Sequence, residues 1–144
     1  MNWQKNIIEN DEEIRELLGE TKTIAVIGIK MENYQPAFYV PQYMKNAGYK
    51  IIPVPVYYPE AAEILNEKVY RKLIDIPEEI DLVNIFRRSN DVAKHTDDIL
   101  VKKPKAVWMQ SGICNSEVAE ILAKEGIKVV QDLCLMVEHR TLMR

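Results

Sequence analysis

The sequence predicts a doubly wound α/β domain, and three observations carry that prediction. Five apolar runs of strand length recur along the chain, at 24–27 (IAVI), 51–54 (IIPV), 82–86 (LVNIF), 106–109 (AVWM) and 127–130 (IKVV). Their hydrophobicity is nearly continuous instead of strictly alternating, as in strands buried on both faces of a parallel sheet. The segments between them carry apolar residues at helical spacing, so strand and helix alternate. At 144 residues the chain suffices for one continuous core, and all of it, 1–144, reads as a single domain.

Each element has a local reason. Asn10 followed by Glu13 forms a capping-box pattern, and Ile14, Leu17 and Leu18 give the leading helix one apolar face before Gly19 ends it. Strand 24–27 runs into Gly28. In "QPAFYVPQYMKNAGYK", Val40, Tyr43, Met44 and Ala47 lie at helical spacing with Gly48 just past the end. Pro41 lacks an N–H, which predicts a kink or a restart there. "AEILNEKVYRKLIDIP" reads as a short helix plus turn. "SNDVAKHTDDILVKK" places Val92, Ile99 and Leu100 on one stripe, with Ser89 or Asn90 as cap. The last crossover is capped by Asn115 or Ser116 and carries Val118 and Leu122 before Gly126. "CLMVEHRTLMR" is expected to be a closing helix.

Composition narrows the function. A formal charge of −3 argues against non-specific binding to nucleic acid, which needs a concentrated basic face. Cys114 and Cys134 have no metal-ligand spacing and suggest neither zinc nor a disulfide framework, so a reducing compartment is expected. "MNWQKNIIENDEEIREL" has no apolar signal core and no membrane span, which predicts a cytoplasmic protein.

In an open α/β sheet the ligand lies beyond the carboxyl ends of the strands, where the strand order reverses. The first end, "GIKMENYQP", offers a tight turn at Gly28 that admits a phosphate, or simply a strand-to-helix turn. It lacks the G-x-G-x-x-G pattern, since Lys30 and Asn33 stand where glycines would be. The second end, "PVPVYYPE", has no acid before Glu60 to hold a ribose, which argues against NAD; its prolines form a stiff wall for a base or only rigidify a loop. At the third, Arg87 and Arg88 suit phosphate or carboxylate oxygens, and equally suit solvent. The fourth, "WMQSGICNSE", offers Gln110, Ser111 and Gly112 as a polar platform, or only a helix cap. The fifth carries Asp132, Glu138 and His139, for which a structural histidine is the favoured reading. Paired acids of a response regulator and a phosphate-binding G-x-x-x-x-G-K-[ST] loop are both absent.

Taken together, "TIAVIG", "QPAFYVPQYMKNAGYKIIPV", "VYRKLIDIPEEIDLVNIFRRSNDV", "KAVWMQSGI" and "GIKVVQDLCLMVEH" resemble the small stand-alone CoA-binding proteins, relatives of the CoA-binding domain of the succinyl-CoA synthetase α subunit. The resemblance implies a Rossmann-like, five-stranded parallel sheet with helices on both faces, holding coenzyme A or an acyl-CoA across the strand ends. It places the pyrophosphate on Gly28, Ile29 and Lys30, near Gln35 and Pro36, and the adenosine end against Pro53, Val54 and Pro55. Phe86, Arg87 and Arg88 flank the nucleotide; Gln110, Ser111, Gly112 and Ile113 meet the pantetheine arm. Lys30, Gln35 and Pro55 depart from the family's pattern, in which a small or hydroxyl residue, an arginine and an asparagine are frequent. The resemblance brings no catalytic motif and implies a carrier, sensor or partner module whose protein partner is unknown. Two other classes remain open: an enzyme using Cys114 or His139 on an acyl thioester, and an interaction protein that has lost its ligand.

Overall fold

The computed structural model describes residues 2–143, so Met1 and Arg144, at the edges of the expected domain and closing helix, lie outside the described residues. After a 3₁₀ turn at Trp3–Asn6 come α1 (Asp11–Glu20), β1 (Thr23–Ile27), α2 (Pro36–Asn46) and β2 (Lys50–Val54). A hairpin, β3 (Glu63–Ile64) and β4 (Glu67–Lys68), precedes β5 (Leu82–Ile85), α3 (Thr96–Lys102) and β6 (Ala106–Met109). Helix α4 (Ser116–Lys124), β7 (Lys128–Val130) and α5 (Leu135–Leu142) complete the chain. Five of the strands form one parallel sheet in the order β2-β1-β5-β6-β7. The order reverses between β1 and β5, which fixes the switch point of a Rossmann-like α/β domain.

Strand pleating splits the core between the two faces. Ile24 and Val26 pack with Leu17, Val40, Met44 and Leu135 on the face covered by α1, α2 and α5. Ala25 and Ile27 pack with Leu73, Val92, Ile99 and Leu122 on the opposite face. Both layers are apolar, which is why the strands read as continuous runs.

Several elements follow their local signals. The Asn10 side chain accepts from the Glu13 N–H at 2.9 Å, and the Asn115 side chain from the Val118 N–H at 3.1 Å. Helix α2 ends with Gly48 at φ +105°, where the Gly48 N–H donates to the Lys45 carbonyl at 3.0 Å and the Tyr49 N–H to that of Met44 at 3.1 Å. Those bonds satisfy carbonyls the helix end would otherwise orphan.

Four expectations are corrected. Gly19 does not end α1, which continues to Glu20 and closes with the Thr21 N–H on the Leu17 carbonyl. "AEILNEKVYRKLIDIP" forms the β3–β4 hairpin and a 3₁₀ turn at Leu73–Asp75, with Leu65 and Asn66 both at positive φ. Two adjacent left-handed residues are what a type I′ two-residue hairpin turn requires, and Leu65 hides that requirement in the sequence. The segment Ser89–His95 is 3₁₀, so neither Ser89 nor Asn90 caps an α-helix; α3 begins at Thr96. Pro41 neither restarts nor splits α2, which runs through it.

Candidate functional site

The site begins at Gly28, whose φ is +83°. A Cβ there would lie 2.2 Å from the Phe86 carbonyl oxygen, so glycine is required both by conformation and by the approach of β5. The Gly28 N–H donates to the Val54 carbonyl at 2.9 Å, and the Phe86 N–H to that of Ile27 at 2.9 Å. Those bonds tie the ends of β2, β1 and β5 into one ledge. The next step is held by an unusual use of proline. Pro41 cannot donate to the Ala37 carbonyl, and that carbonyl accepts instead from the Lys30 N–H at 3.1 Å. Gln35 is the cap residue of α2 without a side-chain capping bond, and Pro36 opens the helix.

Of the residues named from sequence, Gly28, Lys30, Val54, Phe86 and Arg87 are brought together on this ledge. Ile29 is fully buried among the α1/α2 core residues, so only its backbone is available. The Lys30 ammonium lies 5.5 Å from the centre of the Tyr57 ring. Pro53, Val54 and Pro55 are all buried; Pro53 sits in an edge strand, where its missing donor is tolerated. The two arginines part company. Arg87 keeps only 12% of its side chain exposed, whereas Arg88 keeps 89%.

Asp91 organises the charges here. Its carboxylate meets Lys94 at 3.0 Å, Arg88 at 3.1 Å and Arg87 at 3.8 Å. Hydrogen bonds from Lys94, then Arg88, hold its carboxyl below the usual range. Arg87 is nonetheless poorly satisfied, because its Nε is buried with no partner among the described residues and its ion pair with Asp91 is long, at 3.8 Å.

The β6 end lies one strand further along. The Gln110 side chain is buried, its Oε1 accepting from the Asn84 Nδ2 at 3.3 Å and from the Leu135 N–H at 3.2 Å, so it ties α5 to the sheet. Ser111 and Gly112 are exposed, while Ile113 packs partly against the core. The Gly112 N–H donates to Asp132 Oδ1 at 2.6 Å, and Ser89 Oγ accepts from the Cys114 N–H at 3.1 Å.

Sequence reasoning missed three further parts. Tyr58, at φ 63°, accepts from the Met31 N–H at 3.3 Å and donates to Glu32 at 2.6 Å. Arg71 clamps the same loop through the carbonyls of Tyr57 at 3.1 Å and Tyr58 at 2.8 Å. His95 and Asp98, with Ile27, Val54, Pro55 and Leu73, line a cavity of about 240 Å³ at the ends of β1 and β2. Nothing in the spacing of "DVAKHTDD" signals that role, which depends on how α3 docks.

The two candidate catalytic side chains are not brought together. Cys114 follows β6 at its carboxyl end. His139 pairs through Nδ1 with the Tyr43 hydroxyl at 3.0 Å and borders a groove with Lys22 and Tyr49, which precede β1 and β2 at the amino ends. Among the described residues no group of three or more His, Cys, Asp or Glu could hold a metal ion, and no helix is long and apolar enough to cross a membrane.

Burial holds both histidines below the ordinary value of 6.5, and Arg87 adds to this at His95. The unfolded chain therefore takes up protons that the folded one resists as the pH falls through 6.5 toward the folded values. Stability is expected to decline as the pH is lowered through 6.5 toward the folded-state values, read as the urea midpoint. The double variant His95→Gln, His139→Gln should flatten that slope; an unchanged slope would assign it to other groups.

Three relatives bear on what this ledge is. The protein YneT of Bacillus subtilis (strain 168) is 36% identical over 127 residues, 88% of this chain and 92% of that one. The solved structure of the cell-free protein ID.343 from Thermus thermophilus is 39% identical, with a TM-score of 0.86 over 93% of this chain and 99% of that one. A dinucleotide-forming acetyl-coenzyme A synthetase of Ca. Korarchaeum cryptofilum, solved with phosphate and ADP, matches at a TM-score of 0.65 and 25% identity, over 79% of this chain and 26% of that one. The model of the CoA binding domain matches residues 22–140, and with the ledge at the switch point this places the chain in the CoA binding domain family.

Proposed function

We propose that the protein binds coenzyme A or an acyl-CoA across the carboxyl ends of its strands, as a non-catalytic carrier, sensor or partner module. One observation carries the reading: a largely buried, under-bonded Arg87 beside Gly28 at the switch point. A guanidinium in that condition is a waiting partner for anionic oxygens, and a pyrophosphate supplies them. The pyrophosphate rests on Gly28 and Lys30, the adenosine end turns toward Val54 and Pro55, and the pantetheine arm passes Ser111 and Gly112. Lys30 supplies the second positive charge, in place of an arginine at Gln35. The separation of Cys114 from His139 favours a binder over an acyl-thioester enzyme.

The test is thermal denaturation with CoA, ADP and NAD. A ligand at 100 times its dissociation constant stabilises by about 2.7 kcal/mol, which raises the melting temperature by several degrees in a domain of this size. CoA is expected to give the largest shift. A response to NAD equal to or above that of CoA, or no response to CoA, would overturn the proposal.

A further inference from the structure

The cavity at the ends of β1 and β2 contains groups that a pyrophosphate on Gly28 leaves unused. Its volume of about 240 Å³ is below that of a site for a whole cofactor, so it takes one end of a ligand. Val54, Pro55 and Leu73 give it apolar walls, all three buried, against which a flat ring can lie. His95 borders it, and the His95 Nε2 is buried with no hydrogen-bond partner. A buried polar atom left unpaired calls for an explanation.

The remaining groups say which chemistry fits. Arg71, though it lines the cavity, spends its guanidinium on the carbonyls of Tyr57, Tyr58 and Ala61. Asp98 adds a carboxylate that offsets the Lys72 ammonium, so the lining has no charge left over for a second phosphate. Burial, then the Arg87 charge, keeps His95 neutral near pH 7, despite the opposing influence of Asp98 and Asp91. With its proton on Nδ1, a neutral imidazole has Nε2 as an acceptor, and since that atom has no exposed surface in the free protein, a ligand must displace the contacts that cover it to reach it. Beside the cations of Arg71 and Lys72, the lining presents apolar walls and the acceptors of His95 and Asp98, which together suit a flat base carrying an amino group.

We propose that His95 is a specificity-determining residue that accepts a hydrogen bond from the exocyclic amine of the CoA adenine, seated against Val54 and Pro55. This rests on the CoA reading above and deepens it. The cost of the unpaired Nε2 in the free protein is the counterpart of its use in the complex, so removing it should weaken binding without weakening the fold.

Titration calorimetry with ADP, IDP, CoA and dephospho-CoA tests this on the wild type, His95→Leu and His95→Gln. IDP replaces the 6-amino donor by an acceptor. The wild type is expected to prefer ADP to IDP about tenfold, the worth of one buried hydrogen bond. His95→Leu should lose that preference and bind CoA about tenfold more weakly, with a ligand-free melting temperature no lower than wild type. His95→Gln keeps an acceptor and should retain part of the preference, and it carries the test if the leucine variant does not fold. Equal binding of ADP and IDP by a wild type that binds CoA, or a preference surviving in His95→Leu, would overturn the His95 assignment alone. A loss in His95→Leu confined to the advantage of CoA over dephospho-CoA would overturn it in favour of the 3′-phosphate. No CoA binding by the wild type would overturn the underlying reading with it.

Discussion

Gly28→Ala is expected to destabilise the fold by about 3 kcal/mol or more, since it adds a strained left-handed conformation to an overpacked contact. The new methyl group would stand 2.2 Å from the Phe86 carbonyl oxygen and 3.4 Å from Arg87 Cδ. The near neighbour is backbone, one residue past β5 and tied to β1 through the Ile27 carbonyl, so it cannot turn aside as a side chain could. A fall of roughly 10 °C or more in melting temperature follows for a domain of this size. Gly112→Ala is the internal control. Gly112 also has positive φ, at +82°, but nothing lies within 4 Å of an added Cβ, so only the conformational cost of about 1 kcal/mol remains. Comparable losses in the two variants would refute the close approach of β1 and β5. Any Gly28→Ala protein that folds should also fail to respond to CoA, because β5 must be displaced to admit it.

Arg87→Ala is expected to reduce CoA affinity about 10- to 100-fold, the worth of charge-assisted hydrogen bonds to phosphate. Stability of the free protein should change by no more than about 1 kcal/mol, because little in the folded chain depends on that guanidinium. Asp91 keeps Lys94 at 3.0 Å and Arg88 at 3.1 Å after the change, so no carboxylate is abandoned. Arg88→Ala provides the comparison. That side chain is 89% exposed, and its removal should cost less than about threefold in affinity. Titration calorimetry of both variants decides the matter: equal losses, or none at Arg87, would remove the arginine from the site.

The neighbouring arginines show where sequence reading reaches its end. "FRR" announces two charges leaving a buried strand, and residue type alone cannot rank them. The structure ranks them, because Arg87 returns over Gly28 while Arg88 stays in solvent beside Asp91. Gln110 illustrates the same limit from the other side. Its position after β6 places it on a polar platform, yet its amide oxygen is engaged with Asn84 and the start of α5, 25 residues further on. The hairpin at Leu65 and Asn66 was hidden because a leucine in a left-handed turn gives no compositional sign. Pro41 was visible as an interruption, but its consequence, a carbonyl released to hold Lys30, depends on the loop that folds back onto α2.

By itself, the sequence determined what depends on neighbours along the chain. The five sheet strands, the Asn10 and Asn115 caps and the glycine end of α2 all follow from periodicity and backbone preference within a few residues. Only the tertiary structure decided the order β2-β1-β5-β6-β7, the closeness of Gly28 to Phe86, the inward turn of Arg87 and the placing of His95 at a cavity formed by strands and α3. Those features join residues tens of positions apart. Their geometry is set by which layers pack together, and local preference carries no record of that.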